Sequence, residues 1–353
     1  MACSRTTWLV WEDTMPYPKT YSIYKASVQI TDISAAGQTG RIFEKDWIAY
    51  KLKKVWDTTL TWTIPDGSGG TYTLQDNESL FIYTPHEAKP EYFAVVRDGD
   101  SAIGAQNSVG PVTQTIEKVQ CHMQLSDTLD NAPFRVFAHW IDGRGNRDVG
   151  RTDYPVMANE HFNGIGQMFR IWEFPIGERP ELVPLVIALH GGGGWFGNFK
   201  PGSDGVYKSF MASAMFFCPD DGLDVKTPDR VKIQKSYWLG FWEDYNRFLL
   251  PEEQAIPDTG LVINYTMRRV IWELDWLIEN EKIDPKRISL MGGSMGGRGA
   301  NYLAHAYPEH FAAWLSLSPG IQPGGGDFHR HRRTESYYQF TRVPRCYAGY
   351  GPT

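Results

Sequence analysis

With 353 residues, 42% hydrophobic and 22% charged, and a formal net charge of −6, the chain has room for two or three globular domains and is too apolar to be disordered. No basic stripe stands ready to neutralise phosphates, which argues against a nucleic-acid partner. The longest apolar runs, 185–189 and 212–218, fall far short of the ~20 residues of a bilayer-spanning helix, so no membrane segment is expected.

At the N-terminus Trp8-Leu-Val-Trp11 is too short for a signal-peptide core, which predicts either a cytoplasmic protein or one whose leader is missing. The four cysteines, Cys3, Cys121, Cys218 and Cys346, are scattered and form no CxxC pair. That spacing predicts unpaired thiols, with no metal site and no disulfide scaffold. No cofactor is expected either.

From about Tyr21 to Phe174 the chain reads as short strands: 21–28, 58–64, 79–83, 92–96 and 134–140. β-Branched and aromatic residues dominate these runs, Leu60, Trp62 and Ile64 alternate with threonines, and clusters such as Pro65-Asp-Gly-Ser-Gly-Gly70 separate them. This pattern predicts an all-β sandwich. Its runs Tyr21-Ser-Ile-Tyr24 and Tyr92-Phe-Ala-Val-Val96, followed by Asn107-Ser-Val-Gly-Pro111, loosely resemble strands of a fibronectin type III module.

After Pro184 the periodicity changes. Buried-looking strands at 185–189, 214–218, 287–291 and 312–317 alternate with helical segments, which implies a parallel sheet. The clearest helix is predicted over 261–281, where Met267, Val270, Ile271, Leu274, Leu277 and Ile278 fall at steps of three and four on one face.

Two glycine motifs carry the chemistry. Gly292, Ser294 and Gly296 fit G-x-S-x-G between an apolar strand and a helix with Ala300, Leu303, Ala304 and Tyr307 on one face. A serine on so sharp a turn needs small neighbours two residues away on each side, and the following helix points free N–H groups at a developing oxyanion. About one hundred residues upstream, the strand 185–189 runs into His190-Gly-Gly-Gly-Gly-Trp195. Glycines there let the main chain approach a tetrahedral intermediate, and no G-K-[ST] follows to suggest a nucleotide loop.

At these residues the chain resembles the α/β-hydrolase esterases that include feruloyl esterases, polyhydroxybutyrate depolymerases and prolyl-oligopeptidase-like enzymes. The resemblance runs from Pro184-Leu-Val-Ile-Ala-Leu-His-Gly-Gly to Phe311-Ala-Ala-Trp-Leu-Ser-Leu-Ser-Pro319 and is sharpest over 283–297. It implies Ser294 as nucleophile and an oxyanion hole from Gly192 or Gly193 with Met295. The reaction it implies is hydrolysis of a small-molecule or polysaccharide-linked ester, with a peptide as the alternative substrate. The expected layout is a sandwich-like domain over 1–118 and an α/β-hydrolase domain, incomplete at its last strands, over 119–353. A sandwich joined to an esterase points weakly to a secreted or periplasmic protein. A rival reading makes the β-rich half a binding module on an inactive hydrolase scaffold.

A serine needs a base and an orienting carboxylate, which in this fold follow it in the order acid, then histidine. The run Val343-Pro-Arg-Cys-Tyr-Ala-Gly-Tyr-Gly351 resembles the family's strand before a Gly-x-x-Asp turn, so the acid and the histidine are expected beyond Thr353, with weak turnover for these residues alone. Asp327, His329 and His331 crowd both partners onto one loop. Asp220, Asp221 and Asp224 read as turn carboxylates in water, and His305 and His310 as surface groups at a helix end. The aromatic run 237–246, with Trp238 and Trp242, and Trp195 beyond the glycines, offers walls for a phenolic or sugar-linked acyl group. The alternative is that these rings only pack the loop.

Overall fold

The computed structural model describes residues 7–12, 20–43, 62–75, 77–129, 132–144, 151, 153–173, 181–197, 199, 214–227, 230–249, 253–254 and 262–319. The N-terminal part holds eight strands: β1 (Thr7–Glu12), β2 (Thr20–Ala26), β3 (Gly37–Phe43), β4 (Thr63–Pro65), β5 (Thr71–Thr73), β6 (Glu78–Tyr83), β7 (Pro90–Arg97) and β8 (Ser108–Thr113). A four-stranded antiparallel sheet has the order β3-β2-β7-β8, while β1 pairs with β6 and β4 with β5.

The β1–β6 ribbon joins two cores because strand side chains alternate in direction. Leu9, Phe81 and Tyr83 face Ile23, Ile42, Phe93 and Val112 of the four-stranded sheet. Trp8, Val10, Leu80 and Ile82 face the other way, onto Phe134, Val136, Ala138 and Val186 of a second, larger sheet. Both faces of the ribbon are thus apolar, and the β-rich part packs directly on that larger sheet.

The larger sheet has seven strands: β9 (His122–Leu129), β10 (Ala132–Trp140), β11 (Gly166–Trp172), β12 (Val183–Leu189), β13 (Met215–Cys218), β18 (Ile283–Gly293) and β19 (Ala313–Leu317). Its order is β19-β18-β12-β13-β11-β10-β9. The first four strands are mutually parallel, and β11, β10 and β9 extend the sheet antiparallel. The run 134–140, grouped by its pattern with the sandwich, therefore belongs to this second sheet. Period-two alternation identifies a strand but not the sheet it joins, and β10 is buried on both faces from Val136 to Trp140.

Two short pairs complete the strands: the hairpin β14 (Gly222–Thr227) and β15 (Arg230–Lys235), and β16 (Phe241–Trp242) with β17 (Val262–Ile263). The two long helices, α1 (Tyr265–Asn280) and α2 (Met295–Ala306), lie on one face of the sheet. There Val270, Leu274, Leu277, Ala300 and Leu303 meet Leu185, Ile187 and Leu189 of β12. Helix α1 begins later than its pattern predicts because 262–263 pair with β16 instead. Cys121 and Cys218 are buried and unpaired, and Cys3 and Cys346 lie outside the described residues. Among the described residues no helix is long and apolar enough to cross a membrane.

One titratable group sits where the two parts meet. The His122 ring packs 5.2 Å from Trp8 and 5.8 Å from Trp140, and burial pulls its pKa down to about 4. The unfolded chain then takes up a proton near pH 6.5 while the folded one does not. Stability is expected to fall as the pH drops from about 6.5 to about 4, by at most about 3 kcal/mol given the ring's partial exposure, and to be unaffected above that window. Urea unfolding at pH 7 and 4.5 should show a smaller acid loss for His122→Phe than for the parent chain. Equal losses would remove His122 as the cause.

Candidate active site

The parallel strands β12 and β18 run side by side, with Leu189 opposite Gly292, so both carry the chain to the same edge of the sheet. Strand β18 ends at Gly293, α2 begins at Met295, and Ser294 makes the turn alone with φ 55° and ψ −118°. Positive φ in a residue with a Cβ is strained by about 1–3 kcal/mol and persists only where its surroundings enforce it. Here the Ser294 N–H donates to Leu317 O of β19 at 2.8 Å, and Ser294 O accepts from Arg298 in the first turn of α2 at 3.1 Å.

Steric contacts explain the flanking glycines. A Cβ on Gly292 would lie 2.2 Å from Gly296 O, and one on Gly296 would lie 2.0 Å from Leu189 O. Strand, turn and helix approach so closely that only glycine fits at either place. The result is an exposed Ser294 side chain at the N-terminus of α2, with Met295 buried behind it. The Met295 N–H has no hydrogen-bond acceptor among the described residues.

The glycine loop after β12 lies against this turn. A Cβ on Gly191 would stand 3.9 Å from Ser294 Cβ, and one on Gly192 would stand 4.0 Å from Met295 Sδ. Gly192 and Gly193 are exposed, and neither donates its N–H within the described residues. The loop closes on itself through Gly194 N–H to Gly191 O at 2.9 Å. Gly191 is the loop residue nearest Ser294, a position the motif alone did not single out.

Beneath the loop lies a buried polar floor. His190 is 1% exposed, with Nδ1 2.9 Å from Gly191 O and Nε2 3.2 Å from both Asp220 Oδ1 and the Asp221 N–H. Asp220 Oδ1 also accepts from Gly222 N–H at 2.9 Å. Asp221 is wholly buried and accepts from Ser236 Oγ, from Ser236 N–H at 3.2 Å and from Trp238 N–H at 2.8 Å. Asp220 and Asp221, read from the sequence as turn carboxylates in water, are instead interior groups. Each has hydrogen-bond partners, and burial still pushes the Asp221 carboxyl above its usual pKa. Apart from Gly222, their partners lie fifteen or more positions away, which is why no local signal reveals that they are buried.

The three tryptophans separate. Trp238, expected as a pocket wall, is wholly buried: its Nε1–H donates to His190 O at 3.0 Å and its ring packs 4.7 Å from that of His190. It therefore supports the glycine loop rather than lining a surface. Tyr237 and Trp238 both take positive φ, 56° and 65°, a strained turn held by Asp221. Trp242 is half-buried in β16, and Trp195 is half-buried against Phe196, with ring centroids 4.7 Å apart.

Among the described residues no histidine or carboxylate hydrogen-bonds Ser294 Oγ. His190 is committed below the loop, His305 is exposed with Nδ1 2.6 Å from Asn301 O, and His310 faces Asp275 at 3.6 Å and Glu309 at 3.3 Å. Those two carboxylates raise the His310 pKa, and its ring is half-buried rather than at the open surface. Asp327, His329, His331 and the strand read at 343–351 lie outside the described residues. No group of three or more His, Cys, Asp or Glu among the described residues is arranged to hold a metal ion.

Parallel strands, a strained serine turn and a glycine loop beside it make up an α/β-hydrolase core. Residues 264–342 match the family described as "Putative esterase". The match covers α1, β18, the serine turn, α2 and β19, and overlaps over 264–319 the stretch 184–319 on which the sequence resembles α/β-hydrolase esterases; the glycine loop after β12 lies outside it. No curated protein matches the chain. Similar solved structures include an S-formylglutathione hydrolase from Agrobacterium tumefaciens, at 20% identity and TM-score 0.35, over 54% of this chain and 60% of that one. A ferulic acid esterase from Anaeromyces mucronatus, solved with ferulic acid, is similar at 15% identity and TM-score 0.31, over 56% and 62%. An acetyl xylan esterase from Paenibacillus sp. R4 is similar at 14% identity and TM-score 0.32, over 66% and 62%. The chain thus spans about 60% of the length of these proteins.

Proposed function

We propose that this chain is a serine hydrolase that cleaves carboxylic esters through an acyl-enzyme on Ser294. One observation carries the reading: an exposed serine held at φ 55° at the start of α2, with the glycine loop of Gly191 and Gly192 against it, where among the described residues no backbone acceptor takes the N–H of Gly192, Gly193 or Met295. Attack of the hydroxyl on an ester carbonyl moves negative charge onto the carbonyl oxygen, and preorganised N–H donors stabilise that charge most. The match of 264–342 to an esterase family supports the same chemistry. Trp195 and Trp242 would form the acyl-side walls, suited to an aromatic or sugar-linked ester. Sheet membership supports a division near 118/119, with the sandwich-like part packed on the hydrolase part through β1 and β6.

A fluorophosphonate probe tests the nucleophile. Labelling of the folded protein that disappears in Ser294→Ala is the expected outcome, while labelling at another residue, or none, would sink the reading. Hydrolysis of p-nitrophenyl acetate set against peptide anilides then separates esterase from peptidase chemistry, with the ester expected to turn over faster.

A further inference from the structure

The glycine loop is held by side chains from below as well as by its own turn. Lys235, the last residue of β15, donates its Nζ to Gly194 O at 2.6 Å. At the other end His190 Nδ1 reaches Gly191 O at 2.9 Å, and Trp238 Nε1–H donates to His190 O at 3.0 Å. Three carbonyls of the loop, those of His190, Gly191 and Gly194, are therefore engaged on the inner side. A trans peptide points its C=O and N–H in opposite directions, so fixing Gly191 O inward turns the Gly192 N–H outward. Gly191 and Gly192 are the loop residues that lie against Ser294 and Met295, with a Cβ on each coming within 4.0 Å of those side chains.

Lys235 is well placed to act on this loop. It sits at the base of the β14–β15 hairpin opposite Gly222, next to Ser236, whose N–H and hydroxyl hold Asp221. Holding a lysine side chain in one rotamer costs about 1.5–2 kcal/mol of entropy, a cost that solvent-facing lysines avoid. Its Nζ is anchored on a loop whose Gly192 and Gly193 are exposed.

We propose that Lys235 is a positioning residue for acyl transfer: through Gly194 O it anchors the far end of the 191–194 turn, whose Gly194 N–H closes on Gly191 O, and with Gly191 O also held by His190 the turn keeps the Gly192 N–H aimed at the oxyanion formed on Ser294. This rests on the reading of Ser294 as the nucleophile. Lys235 touches no reacting atom and acts through Gly194.

The test compares Lys235→Met and Lys235→Arg with the parent chain in two measurements. Hydrogen exchange of a peptide spanning Leu189 to Trp195 reads the clamp whether or not the serine reacts. At the Gly194 amide, the loop N–H bonded to Gly191 O, it should quicken about 10-fold or more in Lys235→Met and return near the parent rate in Lys235→Arg. The second measurement is phosphonylation of Ser294 by the fluorophosphonate probe. Removing one oxyanion donor costs about 100- to 1,000-fold in rate, so misaiming one should lower the maximal rate about 10-fold, with little change in the probe concentration giving half the maximum. Lys235→Arg should restore it. A merely structural lysine would lower the melting temperature without separating rate from affinity. Exchange in Lys235→Met at the parent rate would overturn the proposal, as would an unchanged maximal rate. If the parent chain is not labelled at all, the serine-hydrolase reading fails, and the exchange measurement still decides whether Lys235 clamps the loop.

Discussion

Alanine at Gly296 is expected to abolish labelling of Ser294 and to destabilise the protein by about 3 kcal/mol or more. The added Cβ would stand 2.0 Å from Leu189 O and 2.7 Å from Leu189 C, and both are main-chain atoms of the neighbouring strand. A clash with a side-chain tip can be relieved by a rotamer change, whereas a clash with β12 backbone requires the sheet or α2 to move. Moving α2 outward would break the 2.8 Å bond from Ser294 N–H to Leu317 O and the close approach of Gly191 to Ser294. Reactivity and stability should therefore fall together. Gly193→Ala is the control, since a Cβ there meets nothing within 4 Å and should cost less than about 0.5 kcal/mol. Urea unfolding of both variants, with probe labelling under native conditions, gives the comparison. A Gly296→Ala protein of parental stability that still labels would mean the strand and helix do not approach as closely as described.

The same contact shows how much of the site was legible in the sequence. Gly292 and Gly296 are needed because of atoms within a few residues of the turn or on the adjacent strand, and an exposed serine between them is a local pattern. The period-four face of α1 and the apolar strands β12, β18 and β19 are likewise local, and they were readable. Sheet membership was not legible in the strand pattern, since β10 alternates like the strands before it until β11 pairs beside it and β13 beside β11. Asp221 was opaque for a different reason. An aspartate after an apolar strand reads as a solvated turn unless Ser236 and the Trp238 N–H, fifteen or more positions on, are known to close over it. Trp238 misled in the opposite sense, because an aromatic run gives no sign of which ring turns inward. Lys235 carried no signal at all, since its partner is a backbone carbonyl.

Removal of the Glu273 carboxylate should produce the largest stability loss of any single charge change in the described part of the chain. Glu273 on α1 is wholly buried, with Oε1 2.9 Å from His139 Nε2 and 3.8 Å from Arg269 Nε, and Oε2 has no hydrogen-bond partner among the described residues. His139 Nδ1 lies 2.8 Å from Tyr154 Oη, which also donates to Trp140 O at 2.5 Å. Burial pushes the His139 pKa down more strongly than Glu273 raises it, and the same Glu273 carboxylate stands opposite Arg269. Arg269 is 1% exposed and donates Nη2 to the Asp220 carbonyl, directly below the His190 floor. Glu273→Leu would leave that guanidinium charged in the core, at a cost of about 3–5 kcal/mol. Glu279→Ala on the exposed face of the same helix removes the surface pair with Lys118 and should cost well under 1 kcal/mol. Because the penalty comes from the stranded charge more than from the lost attraction, Arg269→Leu combined with Glu273→Leu should be more stable than Glu273→Leu alone. Denaturant unfolding of Glu273→Leu, Arg269→Leu and the double variant decides this: a double variant as unstable as the sum of its parts would mean that Arg269 is held by the Asp220 carbonyl rather than by Glu273. In that case the link from α1 to the floor of the glycine loop would run through that carbonyl alone.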